Sequence, residues 1–210
     1  MVETVASRNL IFWEVDTQAD FMQPGGKLYV PGAERLLANI RRLTDAARQG
    51  RVFLVSHGCY HAKDDPEFKT FPAHCIKGTP GSEYVPEALT EELIRIPNEP
   101  TAKLPEDLSR YQQILLEKQT LDIFESLHAA ELLQRLPPEA EFVVFGVVTE
   151  YCVRLAAKGL LHRGRRVFVV QDAVETLNAE AGHRTAEELQ AMGAKFITTD
   201  QALAMANAAS

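Results

Sequence analysis

The chain has 210 residues, enough for one α/β domain with a substantial core and short for two. Hydrophobic residues make up 46% and charged residues 24%, the balance of an ordinary globular protein, and a formal charge of −7 argues against a nucleic-acid partner, because phosphate binding needs a basic face. Cys59, Cys75 and Cys152 are odd in number and far apart, so they form no disulfide framework and suit a reducing, cytoplasmic setting.

The opening residues Met1–Val15 lack a basic start followed by a long apolar stretch, so no signal peptide is expected there, and no apolar run approaches the roughly 20 residues needed to span a bilayer. Leu10–Val15 reads as a buried strand delivering Asp16 to its C-terminal end. A turn follows at Gln23-Pro24-Gly25-Gly26. Ala33–Gln49 then places Leu36, Leu37, Ile40 and Leu43 at helical spacing, stopped by Gly50. Val52–Val55 is the second strand. From Ser56 to Pro105 the chain reads as irregular and rich in Pro, Gly, His and acidic residues, and loops that long usually serve a function or are disordered.

Ile114–Glu117 is the next strand, ending at Lys118. Ser126–Leu136 reads as a helix closed by Pro137-Pro138, and Phe142–Val148 as a wholly apolar strand. Glu150–Arg163 reads as a helix beginning around Cys152. The basic cluster Arg163-Gly164-Arg165-Arg166 is a solvated turn into the strand Val167–Val170, which runs into Asp172. Glu180–Met192 is a helix, Lys195–Thr198 a short strand, and the Ala-rich C-terminus a frayed end. Strands alternating with helices predict one doubly wound, mainly parallel sheet with helices on both faces, forming a single domain over residues 1–210 with its active-site loop at about 56–105.

Ligands of open α/β sheets bind at the carboxyl ends of the strands. Asp16, Lys118 and Cys152 all stand at such ends. A helix N-terminus offers partial positive charge and free N–H groups, which favour a thiolate at Cys152, lower its pKa and can hold an oxyanion. The bland alternative is a buried structural cysteine beside a plain ion pair. Lysine and aspartate at buried strand ends are costly unless they pair. Paired, Lys118 would stabilise the thiolate, and Asp16 could take the thiol proton and return it to a leaving amine.

Four segments carry a resemblance. Val15-Asp16-Thr17-Gln18-Ala19-Asp20-Phe21 with Gly25-Gly26-Lys27-Leu28 and Pro31-Gly32-Ala33, the stretch Phe71 to Gly81, Glu117-Lys118-Gln119 with Phe124, and Gly146-Val147-Val148-Thr149-Glu150-Tyr151-Cys152-Val153 are together similar to the nicotinamidase/isochorismatase-like cysteine hydrolases. The resemblance implies an isochorismatase-like fold and an amidohydrolase with Cys152 as nucleophile, Asp16 as proton acceptor and Lys118 as third member. It implies a cis peptide at Val147–Val148, with the Val148 and Cys152 N–H groups facing the oxyanion. Phe21, Phe71 and Tyr151 match substrate-wall positions. The cysteine favours amides or carbamoyl groups over isochorismate ethers.

The nicotinamidases among these hydrolases bind a divalent metal through an Asp-x-His pair and further histidines. Here His61 and His74 match, Cys59 occupies the aspartate position and Glu67 falls near another ligand position, with Asp64 and Asp65 as rival carboxylates. All three residue types ligate zinc, so zinc or another divalent metal is the cofactor the resemblance implies, and the loss of the aspartate leaves its presence open. No organic cofactor is expected. His128, His162 and His183 read as surface residues.

The sequence therefore points to a thiol-dependent amidohydrolase acting on a small-molecule amide, with nicotinamide the leading substrate and a homo-oligomer implied by the family. The rivals are a metal-independent carbamoyl or ureide hydrolase of the same fold, a catalytically inactive binding module, and a redox-sensing thiol protein.

Overall fold

The structure, a computed structural model, describes residues 9–209, so most of the opening segment, where no signal peptide is expected, lies outside the described residues. Seven strands form one sheet in the order β3-β4-β2-β1-β5-β6-β7. They are β1 (Leu10–Val15), β2 (Phe53–Cys59), β3 (Leu93–Ile96), β4 (Gln113–Lys118), β5 (Glu141–Gly146), β6 (Arg166–Val174) and β7 (Lys195–Ile197). Every pairing is parallel, so the expected "mainly parallel" sheet is parallel throughout.

Parallel strands covered on both faces read as continuous apolar runs, and β1 and β2 are buried at every position. Alternate side chains feed two cores. On one face Ile11, Trp13, Val55 and Val144 pack with Leu132, Leu133, Leu160 and Leu189. These come from α3 (Ala129–Arg135), α4 (Arg154–His162) and α5 (Ala179–Ala191). On the other face Phe12, Leu54, Leu115 and Phe145 pack with Ile40, Leu43, Ala202 and Ala206, from α2 (Leu37–Arg48) and α6 (Thr199–Ala208); the short α1 (Ala19–Met22) follows β1.

Several expectations are corrected. The long irregular region at 56–105 contains the end of β2, the whole of β3 and three single-turn 3-10 helices. β3 is a four-residue, half-buried edge strand pairing only with β4, so it has no long apolar run to announce it. The first helix begins as a 3-10 turn at Ala33–Leu36 before α2. The helix expected to begin around Cys152 likewise opens with a π turn, Thr149–Val153, ahead of α4. The strand expected to reach Val148 ends at Gly146.

The C-terminus is not frayed but forms α6. A capping box holds its start, with Thr198 accepting from the Gln201 N–H and the Gln201 side chain accepting from the Thr198 N–H. Asp172 Oδ1 accepts from the Thr199 N–H at 2.7 Å, which ties α6 to β6. His128, expected at the surface, is buried, with Nε2 3.3 Å from the Glu99 carbonyl.

A cluster of polar groups lies deep in the sheet. Glu14 is fully buried; Ser56 Oγ donates to its Oε2 at 2.6 Å, Gln113 Nε2 donates to Ser56 Oγ at 2.7 Å, and Glu14 Oε1 has no partner. Burial pushes the Glu14 carboxyl up to about 8, against the opposing bond from Ser56. Unfolded, it titrates near its ordinary 4.5, so the folded chain keeps a proton that the unfolded chain has released. Stability linked to Glu14 is therefore complete below about pH 4.5 and is lost as pH rises through about 8. Urea unfolding at pH 5 and pH 8.5 should show wild type losing on the order of a few kcal/mol between them. Glu14→Gln should lack most of that loss; an equal pH slope in both proteins would contradict the assignment.

Candidate active site

Strand order reverses at β1: the strands that follow it run to one side as far as β4, and β5 begins the other side. Such a switch point opens a crevice at the carboxyl ends. Asp16 follows β1, Cys59 and Lys118 end β2 and β4, and Cys152 follows β5. The crevice therefore gathers side chains from four strand ends.

Two backbone features shape it. Asp16 adopts φ 51, a left-handed conformation that aspartate tolerates better than most residues, with its N–H donating to the His57 carbonyl at 2.9 Å. Gly146 has φ 115, and a Cβ there would sit 2.0 Å from the Val15 carbonyl oxygen. Only glycine lets β5 turn so close to β1. The Val147–Val148 peptide beyond it is cis.

Lys118 Nζ is the hub. It lies 3.0 Å from Asp16 Oδ2, 3.0 Å from Cys59 Sγ and 3.5 Å from Cys152 Sγ. All four residues are buried, Lys118 completely. Asp16, Lys118 and Cys152, far apart in sequence, thus meet at one point. Burial alone would depress the Lys118 ammonium, but the Asp16 carboxylate and the two sulfurs outweigh it and hold its pKa well above the ordinary value.

The lowered thiol pKa expected for Cys152 is not found. Burial first, and then the Asp16 carboxylate, push it well above the ordinary thiol value, while Lys118 pulls it down. Cys152 therefore rests as a thiol rather than as a thiolate, its sulfur 3.5 Å from Lys118 Nζ. Cys59 is likewise pushed up to about 12 by burial.

His57 also belongs to this neighbourhood. Its Nδ1 is 4.0 Å from Asp16 Oδ1, both ring nitrogens are buried without hydrogen bonds, and burial lowers its pKa to about 3, so it is neutral and forms no ion pair. Gln18 clamps the backbone of Cys59, donating from Nε2 to its carbonyl at 2.6 Å and accepting from its N–H at 2.8 Å. A Cβ on Gly58 would meet Gln18 Oε1 at 2.7 Å, so the clamp requires glycine there. Neither His57 nor Gln18 stands out in the sequence; the only signal for Gln18 is its place two residues beyond Asp16.

Cys59, His61 and His74 each present a ligand atom, all within 4.8 Å of one another. His74 Nδ1 stands 2.8 Å from the Pro72 carbonyl, and donation to that oxygen leaves its Nε2 free as a ligand. Both His61 ring nitrogens are buried without a hydrogen bond, although Asp65 Oδ2 stands 3.0 Å from Nδ1. Glu67 Oε1 is 4.0 Å from His61 Nε2 and 3.9 Å from His74 Nε2. Burial raises the Glu67 pKa and lowers that of His74. Soft and nitrogen donors converging with a carboxylate, with orphaned histidine nitrogens among them, fit a zinc-type ion. The rival Asp64 is exposed.

Phe21, Phe71, Val148, Tyr151 and Cys152 line a cavity of about 30 Å³ together with Cys59, Glu67 and His74. Leu28, Leu121 and Leu177, not anticipated from sequence, complete its apolar wall. Phe71 and Tyr151 meet edge to face at 5.8 Å across it. A groove of about 750 Å³ adjoins the cavity, sharing Glu67, Phe71 and Leu121 with it.

The isochorismatase domain profile matches residues 10–201. The chain belongs to the isochorismatase family. Among curated proteins it is similar to a nicotinamidase/pyrazinamidase of Mycobacterium tuberculosis, 23% identical over 87% of this chain and 95% of that protein. It is also similar to a nicotinamidase of Saccharomyces cerevisiae, 26% identical over 84% of this chain and 94% of the relative. Among solved structures, a zinc complex of a pyrazinamidase from Pyrococcus horikoshii superposes with TM-score 0.72 at 25% identity, covering 90% of this chain and 99% of that one. The chain is therefore a hydrolase of this family, and among its described residues no helix is long and apolar enough to cross a membrane.

Lys118 is the influence that lowers the Cys152 pKa. Lys118→Ala should move the pH midpoint of Cys152 alkylation upward. Iodoacetamide rates followed on the Cys152 peptide across pH 6–10 measure this, and an unshifted midpoint would rule out the electrostatic role.

Proposed function

We propose that this hydrolase is a cysteine-dependent amidohydrolase that splits the C–N bond of a small, uncharged, planar amide, with nicotinamide the leading substrate. The observation that supports this most is the meeting of thiol, ammonium and carboxylate around Lys118 Nζ at the floor of an apolar cavity.

The steps follow from what each group can do. Cys152 Sγ attacks the amide carbon while its proton passes to Asp16, so a resting thiol suffices and no preformed thiolate is needed. Charge grows on the carbonyl oxygen, which the Val148 and Cys152 N–H groups receive in this reading. Asp16 returns the proton to the nitrogen as the C–N bond breaks, releasing ammonia and leaving a thioester. Water then attacks the thioester, Asp16 takes a water proton and passes it to the departing sulfur, and the acid leaves. Lys118 stays protonated throughout and offsets the negative charge shared between Asp16 and Cys152.

Cys59, His61 and His74, with Glu67, would hold a divalent metal, for which zinc fits the donors best. A metal there supplies a Lewis-acid anchor for a ring nitrogen. Phe21, Phe71 and Tyr151 sandwich the ring in this reading. The three cysteines are all free and buried, which accords with a reducing cytoplasm.

Ammonia release from a panel of heteroaromatic and aliphatic carboxamides, carbamoyl and ureide compounds, with and without chelator, tests the proposal. Nicotinamide-type amides should be preferred, and Cys152→Ala should lose at least about 10⁴-fold in kcat while retaining its far-ultraviolet circular dichroism. Ammonia release by that variant at the wild-type rate would refute the mechanism. Metal analysis of the purified protein should return about one zinc per chain, falling several-fold in His61→Ala. A metal-free, fully active protein would move the assignment to the carbamoyl or ureide branch, to which the engagement of Cys59 by Lys118 also lends itself.

A further inference from the structure

The two residues that precede Tyr151 and Cys152 in the nucleophile turn are tied to a distant segment, Glu175–Asn178. The Thr149 N–H and hydroxyl both donate to the Glu175 carbonyl, at 2.9 and 2.8 Å. The Glu150 carboxylate accepts from the Leu177 and Asn178 N–H groups, each at 3.0 Å, and from the Thr176 hydroxyl at 2.7 Å. Asn178 in turn caps α5, its side chain accepting from the Ala181 N–H. Five hydrogen bonds thus join the nucleophile turn to the Glu175–Asn178 segment, which carries one residue of the cavity wall.

That residue is Leu177. It is 45% exposed, unusual for a large apolar side chain here, yet it lines the cavity that holds Cys152. The cavity has room for about 30 Å³, whereas a buried space of about 150 Å³ is what holds a benzene ring. One wall must therefore give way to admit a ring. The Leu177 side is bound to the nucleophile through Glu150. Phe71, by contrast, lines both the cavity and the open groove beside it, so it can swing toward the groove.

We propose that Leu177 is a specificity-determining residue and Glu150 its positioning residue, together forming the fixed wall that limits the substrate body to about one ring, while the Phe71 side opens to admit it. This rests on the reading of Cys152 as the nucleophile. Glu150 acts through Leu177 and touches no reacting atom. A carboxylate suits this task because it takes two consecutive backbone N–H groups and a hydroxyl at once.

The test uses the full-length protein and two alkylating probes, iodoacetamide and the bulkier N-(1-naphthyl)iodoacetamide, with labelling followed by mass on the Cys152 peptide. The ratio of bulky to small second-order rates should rise at least about ten-fold in Leu177→Ala and in Glu150→Ala. Glu150→Gln, which keeps an acceptor oxygen, should rise less. With one-ring and two-ring carboxamides, the same variants should shift kcat/KM toward the two-ring substrate through KM rather than kcat. A purely structural role would slow both probes alike and leave the ratio where it was. An unchanged ratio in folded Leu177→Ala overturns the wall, and a rise in Leu177→Ala without one in Glu150→Ala or Glu150→Gln overturns the positioning role. Labelling does not require turnover, so absence of ammonia release by wild type would count against the amidase reading alone, and the labelling ratio would still decide whether the wall exists.

Discussion

The arrangement depends on one buried cation. Lys118 has no exposed surface, and a lone ammonium in such a place would lose its proton or unfold its surroundings. Asp16 at 3.0 Å prevents both. The pair joins the ends of β1 and β4 across β2, the strand between them, so the carboxyl rim of the sheet converges where parallel strands alone would only lie side by side. Removing one partner of a buried pair typically costs about 3–5 kcal/mol. The same contact therefore also holds the rim together, beside the left-handed turn at Asp16 and the close approach of Gly146 to Val15.

Cys59 has a double position within that frame. Its sulfur lies 3.0 Å from Lys118 Nζ and 3.8 Å from Asp16 Oδ1, while also standing with His61 and His74. A carboxylate there would add a permanent anion next to Asp16. A thiol is neutral when buried and becomes an anion when a metal takes its proton's place. A metal held by Cys59 and the histidine pair would therefore change the charge beside Lys118, while Gln18 bonds both backbone groups of Cys59.

Much of this is legible in the sequence because apolar runs and strand-end polar residues are local signals. Leu10–Val15 followed by Asp16, and Gln113–Lys118 ending in a lysine, announce their own burial conflict. What stays hidden depends on tertiary context. Leu93–Ile96 is a strand only because β4 offers it an edge. The α6 helix has small, unpatterned apolar residues, and its one local signal is the Thr198-to-Gln201 capping box, which the Ala-rich composition around it obscures. His57, Gln18 and Leu177 carry no motif of their own; their roles come from what the fold sets against them. The thiol pKa departs from expectation because the helix-terminus argument weighs charge and leaves out desolvation, which here is the largest influence on Cys152.

That influence also shapes how the site works. A buried thiol held by its neighbours in the protonated state is a weak nucleophile and equally a poor target for adventitious electrophiles. In the proposed mechanism it becomes reactive when a carbonyl arrives within reach and Asp16 can take the proton during attack, with the Lys118 ammonium offsetting the negative charge the two share. Burial, which penalises the thiolate at rest, also strengthens each electrostatic contact with the developing oxyanion once substrate has displaced water. A site with a preformed thiolate would need its cysteine more open to solvent or flanked by further cations. This one encloses its sulfur with a single ammonium and a single carboxylate, so under the proposed mechanism reactivity would depend on occupancy of the cavity.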